Sequence, residues 1–245
     1  MTLFPVKLLW CGLEVLGLPP QLIQLLKSFQ AEMSARVCVG SSCTTPFTVQ
    51  NGLRQGCSIA PVLFSLYFSL VMEKWREEMA HLHPGSAVLF RYNINGNLFN
   101  QARSKYTLGS MADLEFANDA VLAVLSRQSA PDALSVFHSV AASFGLTVNF
   151  TKTKFMGCGN GLSEADLQPL VVAGHAVESV KCFTYLGTSV SPDARAGLEV
   201  DWRLASASRA FGALRSVFDD SGLSLRTKRL LYTASLCVVC SPIRC

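Results

Sequence analysis

The sequence predicts a mixed α+β fold: an antiparallel sheet covered by helices on one face, followed by a helical region. Three observations carry this. Leu114 to Val124 places two apolar runs on either side of Ala117-Asn118-Asp119, the pattern of a hairpin of buried strands that presents side chains at its tip. Ala133, Phe137, Val140, Ala141 and Phe144 fall on one stripe of a helix that starts at Ser129-Ala130-Pro131-Asp132 and ends at Gly145, as a helix covering a sheet requires. From Leu198 onward the periodicity is helical, with Val200, Leu204, Ala207, Phe211 and Leu214 in one helix and Thr227 to Val238 in another.

The composition narrows the class. At 245 residues and 50% hydrophobic, the chain buries a sizeable core and is not disordered. A net charge of +4 with 16% charged residues is a weak basic bias, compatible with nucleic acid without requiring it. The longest apolar run, Ala60 to Met72, is short for a membrane span and contains Ser65, Tyr67 and Ser69, so no membrane segment is expected. Met1 to Leu18 is apolar, but Glu14 interrupts it and no small-residue cleavage site follows, which argues against a secretory leader. The nine cysteines are an odd number without repeated spacing and read as reduced thiols of an intracellular protein, nuclear or cytoplasmic. Cys237 and Cys240 have zinc-ligand spacing, but no second pair follows, and His81, His83, His138 and His175 are not placed to complete a site.

The remaining elements follow in order. Leu8 to Leu16 and Gln21 to Met33 read as two helices separated by Gly17 and Pro19-Pro20. Ala35 to Val39 and Phe47 to Val49 read as strands of a hairpin around Gly40-Ser41-Ser42. Asn51 to Tyr67 is a glycine-punctuated loop that runs into an apolar helix reaching about Met79. In it Gly52 and Gly56 bracket Arg54 and Gln55, so the backbone can approach a ligand closely with a cation and an amide at a helix entrance, where anions are favoured; the other reading is a turn with Arg54 in solvent. His81 to Ser110 reads as a polar connector with a hairpin at Asn95-Gly96 and a loose loop after it. Leu146 to Phe150 reads as a short strand with Lys152 and Lys154 just beyond it, cations for solvent or for a triphosphate. Val171 to Val177 and Ser179 to Leu186 suggest strands that Gly187 ends. Arg195, Arg203, Arg209, Arg215, Arg226, Lys228 and Arg229 make the helical end the most basic part.

Asp119 admits two readings on its own. A carboxylate at a hairpin tip is tolerated when a cation or hydrogen bonds accept it, so it is a metal ligand or an ordinary Asn-Asp turn residue. Its context supplies the resemblance. The order and spacing of these segments resemble the reverse transcriptase domain of LINE-type retrotransposons, those without long terminal repeats, over nearly the whole chain. Asn51 to Tyr67 is similar to motif B, whose loop and helix contact template and incoming nucleotide. Phe116-Ala117-Asn118-Asp119 sits where motif C has an aromatic residue, alanine and two aspartates, Phe144 to Asn149 with Lys152-Thr153 resembles motif D, and Phe183-Thr184-Tyr185-Leu186-Gly187 resembles the segment that supports the primer end.

That resemblance implies a polymerase palm over residues 1–190 and a thumb-like helical region over 191–245. It implies RNA-directed DNA synthesis with an RNA template, a DNA primer and Mg²⁺ or Mn²⁺ held by motif A and motif C carboxylates. It places Arg54, Gln55, Gly56, Pro61 and Phe64 at nucleotide and template, Asp119 and Lys152 in catalysis, Asn118 and Asp119 at the metal, and Tyr185, Leu186 and Gly187 at the primer. Two departures stand out. Asn118 replaces the first motif C acid, and an amide offers a neutral carbonyl where a hard cation favours a carboxylate. Motif A falls at or before Met1, and Met1 to Lys7 contain no acid, so motif A and the fingers are expected to be missing and the chain catalytically dead. The alternatives are a non-catalytic nucleic-acid-binding fragment and a genomic relic.

Overall fold

The structure, a computed structural model, describes residues 4–31, 33–49, 51–54, 56–93, 106–159, 167–193 and 197–237. The chain divides into two units, one made of residues 1–150 and 171–175, the other of 151–170 and 176–245. The first unit is built on helices. α1 (Val6–Val15) and α2 (Pro20–Gln30) are separated where Gly17 turns left-handed and Pro19-Pro20 supply the fixed φ of a helix start. A nested hairpin follows: β1 (Ser34–Ala35) pairs with β4 (Phe47–Thr48) outside β2 (Cys38–Val39) and β3 (Ser42–Cys43). The register sets Cys38 opposite Cys43, and the two form a disulfide with their Cα atoms 4.1 Å apart. This corrects the expectation of uniformly reduced thiols, since cross-strand pairing, not sequence spacing, made the two sulfurs neighbours.

α3 (Ala60–Leu82) opens with Pro61 in its first turn and is the axis of the core. Leu63, Tyr67, Phe68, Val71, Met72, Trp75 and Met79 recur at helical spacing and are buried against Leu9, Leu13, Ile23 and Leu26 of the first two helices. Each such side chain contributes about 1.5–3 kcal/mol when fully withdrawn from water. The buried Trp75 indole N–H donates to the Ala133 carbonyl at 2.9 Å, which satisfies that polar group inside the core.

β5 (Val88–Asn93) and β6 (Tyr106–Met111) form a long antiparallel ladder, so the stretch does hold a pair of strands as the expected hairpin required, but Tyr106 to Ser110, expected as loose loop, belong to its second strand. The apolar or β-favouring alternation of Val88, Phe90, Tyr92, Tyr106 and Leu108 outweighed the asparagine content. The Asn95-Gly96 turn lies outside the described residues. β7 (Asp113–Phe116) and β8 (Asp119–Leu122) then form the expected hairpin, but its strands are half-buried or exposed rather than buried, because only one face packs on the core; α4 (Ala130–Ser143) packs across α3. Ala133, Val140 and Ala141 of α4 are buried, and Phe137 and Phe144 lie at the edge of the same core. Gly145 ends α4 with φ +71, which only glycine adopts cheaply, and a Cβ there would overlap the Pro5 ring. Leu146 to Asn149 continue without ladder partners, so the strand expected over Leu146 to Phe150 is absent. Leu146 is instead pinned by its N–H to the Ala141 carbonyl and by burial of its side chain, which satisfies the segment without a sheet.

β9 (Lys154–Phe155) opens the second unit, to which the elements that follow belong except for Val171 to His175. The single strand expected over Val171 to Val177 is broken into β10 (Leu170–Val172) and β11 (His175–Ser179) by Ala173 and Gly174, both at positive φ, the conformation of a tight two-residue turn. β9 runs parallel to β11, with Lys154 opposite Glu178 and their side chains joined at 2.6 Å. β12 (Phe183–Tyr185) and β13 (Thr188–Val190) form a second two-residue hairpin through Leu186 (φ +49) and Gly187 (φ +78), so Gly187 completes a turn rather than ending a strand. α5 (Gly197–Ala213), α6 (Arg215–Asp219) and α7 (Leu225–Tyr232) complete the unit, with a π-helical turn at Thr233–Cys237 in place of the expected helical continuation to Val238. Leu214 breaks the first predicted helix, and its N–H donates to the carbonyls of Ala210 and Phe211. The Ser224 side chain caps α7 by accepting the Thr227 N–H at 3.2 Å. Val200, Leu204 and Phe211, the predicted stripe of α5, are exposed. The architecture is therefore mixed α+β with mainly antiparallel pairing spread over small sheets. Among the described residues, no helix is long and apolar enough to cross a membrane.

Candidate polymerase site

The β7–β8 hairpin sets Phe116 opposite Asp119 and leaves Ala117 and Asn118 as its two turn residues. Ala117 holds φ +53, an unfavourable region for a residue with a Cβ, while Asn118 stays at negative φ. The strained alanine makes the turn tight enough to put Asn118 at the tip and Asp119 on the first residue of the returning strand. Strand alternation then sorts the acids. Asp119 shares a face with Phe116, Leu114 and Val121, and on that face Phe116 and Leu114 are exposed. Asp113 and Glu115 share the opposite face with Ala120 and Leu122, which pack on the core. Asp113 is nearly buried and meets Arg76 of α3 at 3.3 Å; burial pushes its carboxyl above the ordinary range, with Arg76 opposing. Burial also pushes Glu115 up, reinforced by the Asp113 charge and opposed by Arg76.

Hence the open face of the hairpin carries one carboxylate, Asp119, beside one amide, Asn118. Among the described residues no group of three His, Cys, Asp or Glu side chains comes together as a metal cradle. A divalent pair is held by several anionic oxygens, and toward it this face offers the Asp119 carboxylate and the Asn118 carbonyl.

The loop before α3 is held at several points. Asn51 bridges to Pro5, the Gly52 N–H donates to the Phe4 carbonyl at 3.1 Å, and Gly52 and Gly56 both adopt positive φ. The Arg54 N–H donates to the Gln30 side-chain oxygen at 3.4 Å, leaving the Arg54 side chain exposed. Gln55 lies outside the described residues. Pro61 is exposed at the start of α3, whereas Phe64 is half-buried and stacks on Phe68 with ring centroids 5.8 Å apart. Leu53, Phe64, Ala120 and Leu122 pack on the same core, so the loop and the hairpin are anchored to one rigid body.

The other expected site residues lie in the second unit. Lys152 is an exposed turn residue. Tyr185, Leu186 and Gly187 are the last residue of β12 and the turn itself, with Tyr185 paired to Thr188. Two residues not anticipated as part of any site support these segments. Gln30 anchors the Arg54 loop from 24 residues away, for which the sequence carries no local signal. Glu199 accepts the Ser189 N–H at 2.6 Å and pairs with Arg203; the i,i+4 spacing of Glu199 and Arg203 was the available signal, and it announced only the pair.

An α+β unit with a helix-backed antiparallel hairpin, an aromatic-Ala-Asn-Asp turn and a glycine-bounded loop on the same core has the makings of a nucleotide-polymerising domain. The family of reverse transcriptases (RNA-dependent DNA polymerases) matches the chain over residues 5–190, and the chain belongs to that family. No curated protein matches it.

Proposed function

We propose that this chain derives from the reverse transcriptase of a LINE-type retrotransposon, with residues 1–190 palm-derived and 191–245 thumb-like, and that by itself it engages an RNA template paired to a DNA primer without extending the primer. It acts on nucleic acid inside the cell, in the nucleus or the cytoplasm. The single observation behind this is the Ala117-Asn118 turn, which keeps the hairpin of a polymerase and puts an amide where the first carboxylate is expected. In a polymerase such a carboxylate holds an ion and offsets charge on the triphosphate, and its loss weakens transition-state stabilisation by several kcal/mol. When bound, Mg²⁺ or Mn²⁺ would supply Lewis-acid activation of the attacking and leaving oxygens. In this reading Arg54, Gly56 and, by sequence, Gln55 of the loop, Pro61 and Phe64 at the start of α3, Lys152 after α4 and the Tyr185-Leu186-Gly187 turn are the groups assigned to holding nucleotide, template and primer.

The test is primer extension by the purified chain on an RNA template with Mg²⁺ or Mn²⁺ and all four nucleotides, together with binding of the same primer–template. Binding without extension is expected. Extension would overturn the non-catalytic reading, and absence of binding would favour a relic without function.

A further inference from the structure

We infer that Glu199 is a positioning residue for the Leu186–Gly187 turn, acting through the backbone of Ser189. In a two-residue hairpin the pair flanking the turn, here Tyr185 and Thr188, faces inward with both hydrogen bonds. The next pair, Thr184 and Ser189, points its amides outward, so the Ser189 N–H is an edge donor in need of a partner. Glu199, in the first turn of α5, supplies it: one carboxylate oxygen accepts that N–H at 2.6 Å while the other accepts from the Arg203 guanidinium. Glu199 is 9% exposed, a position a carboxylate holds only when its oxygens are bonded.

A hairpin of three cross-strand pairs is marginal by itself, and this one also carries Leu186 at positive φ. A hydrogen bond to an acceptor of the right reach on a longer helix is therefore what fixes the angle at which the turn is presented. The inference rests on the reading that Tyr185, Leu186 and Gly187 support the primer end; if they do, Glu199 sets where that support stands without itself touching nucleic acid.

The experiment compares affinity for a DNA primer recessed on an RNA template with affinity for a dumbbell hybrid of the same length that has no free end. The proteins are the full chain and its Glu199→Ala, Glu199→Gln, Glu199→Asp and Tyr185→Ala variants, with Ser189 amide exchange read in parallel. Glu199→Ala is expected to accelerate Ser189 exchange and to lose roughly tenfold in preference for the primer end. Glu199→Gln keeps an acceptor of the same reach and is expected to retain the preference. Glu199→Asp keeps the charge but falls short of Ser189 and is expected to lose it, which decides the matter should the alanine variant fail to fold. Loss of preference in Tyr185→Ala with none in Glu199→Ala would overturn the inference, as would retention by aspartate and loss by glutamine. An unmodified chain that does not distinguish the two ligands would instead remove the primer-supporting reading on which the inference stands.

Discussion

The Tyr67 hydroxyl donates to the Phe144 carbonyl at 2.5 Å, joining the middle of α3 to the end of α4 across 77 residues of sequence. The same tyrosine ring stacks on Phe4 with centroids 4.7 Å apart and meets Phe144 edge-on. One side chain thus ties three segments of the core that carries the hairpin. Tyr67→Phe keeps the rings and strands the carbonyl, so it is expected to cost about 1–3 kcal/mol in chemical denaturation. Burial also pushes the Tyr67 phenol from 10.0 to about 12. The folded state holds that proton after the unfolded state has released it, so stability falls as the pH climbs from 10.0 towards about 12, and absorbance titration of the folded protein should show one phenol ionising late.

Gly145→Ala and Gly187→Ala separate backbone strain from crowding. Both glycines have positive φ, but only at Gly145 does an added Cβ meet another residue, Pro5. Gly187→Ala is expected to cost about 1–2 kcal/mol, the penalty of the left-handed region alone. Gly145→Ala adds overlap with a rigid ring and is expected to cost about 2–5 kcal/mol. Equal losses in denaturation midpoint would contradict this.

Asn118→Asp is expected not to restore primer extension. It places a second carboxylate at the tip, which strengthens Mn²⁺ or Mg²⁺ binding, but Asp113 and Glu115 remain on the core side of the hairpin and add nothing to the cradle. Supplying an aspartate-bearing segment from an active relative together with Asn118→Asp is the combination expected to extend. Isothermal titration with Mn²⁺ and a primer-extension gel read the two halves of this prediction; extension by the single variant would refute it.

The two charged contacts respond to pH with opposite signs. Asp113 is held above its ordinary range by burial, so the folded state binds its proton more tightly and stability falls as pH rises through that range. Asp113→Asn is expected to flatten this fall at little cost near neutral pH, because the Arg76 side chain is 43% exposed and keeps access to water. Glu199 is held below its ordinary range, first by the Ser189 N–H and then by Arg203. Its contribution is present above the unfolded-state value and is lost as pH falls through the lower folded value, so Glu199→Gln is expected to blunt acid destabilisation of the second unit. Denaturation series across pH for each variant check both slopes.

Binding to an RNA–DNA hybrid is expected to be weak, indifferent to sequence and reduced by salt. Arg215 lies 3.6 Å from Asp219, and Glu199 engages Arg203, so part of the basic character of the helical end is internally compensated. A shallow dependence of log affinity on log salt, with a slope of about −2 to −3, is expected. Tight binding that is insensitive to salt would contradict it.

Local signals survived folding where they were backed by chemistry that leaves few options. The Leu114 to Val124 hairpin, the stripe of α4 and its Gly145 stop were legible because alternation, helical spacing and positive φ are each written in a few adjacent residues. Val171 to Val177 misled because Ala173 occupies a turn position usually given to asparagine, aspartate or glycine, so Gly174 alone signalled the break. Asparagines signalled a hairpin between Val88 and Met111 but concealed how far its second strand extends, and Leu146 to Phe150 misled through β-branched residues that form no strand.

For the candidate site, the sequence by itself determined the chemistry on offer: an amide at position 118 beside an acid at 119, a cation between two glycines, and an aromatic-Leu-Gly turn further on. Residue identity does not depend on folding. Only the tertiary structure decided which groups meet. Strand register turned Asp113 and Glu115 away from Asp119, cross-strand pairing brought Cys38 to Cys43, and a helix from outside the hairpin delivered Glu199 to Ser189. The physical reason is that each of these contacts is fixed by packing between segments distant in sequence or by a register that a one-residue slip would invert, and neither quantity is encoded in any short stretch of residues.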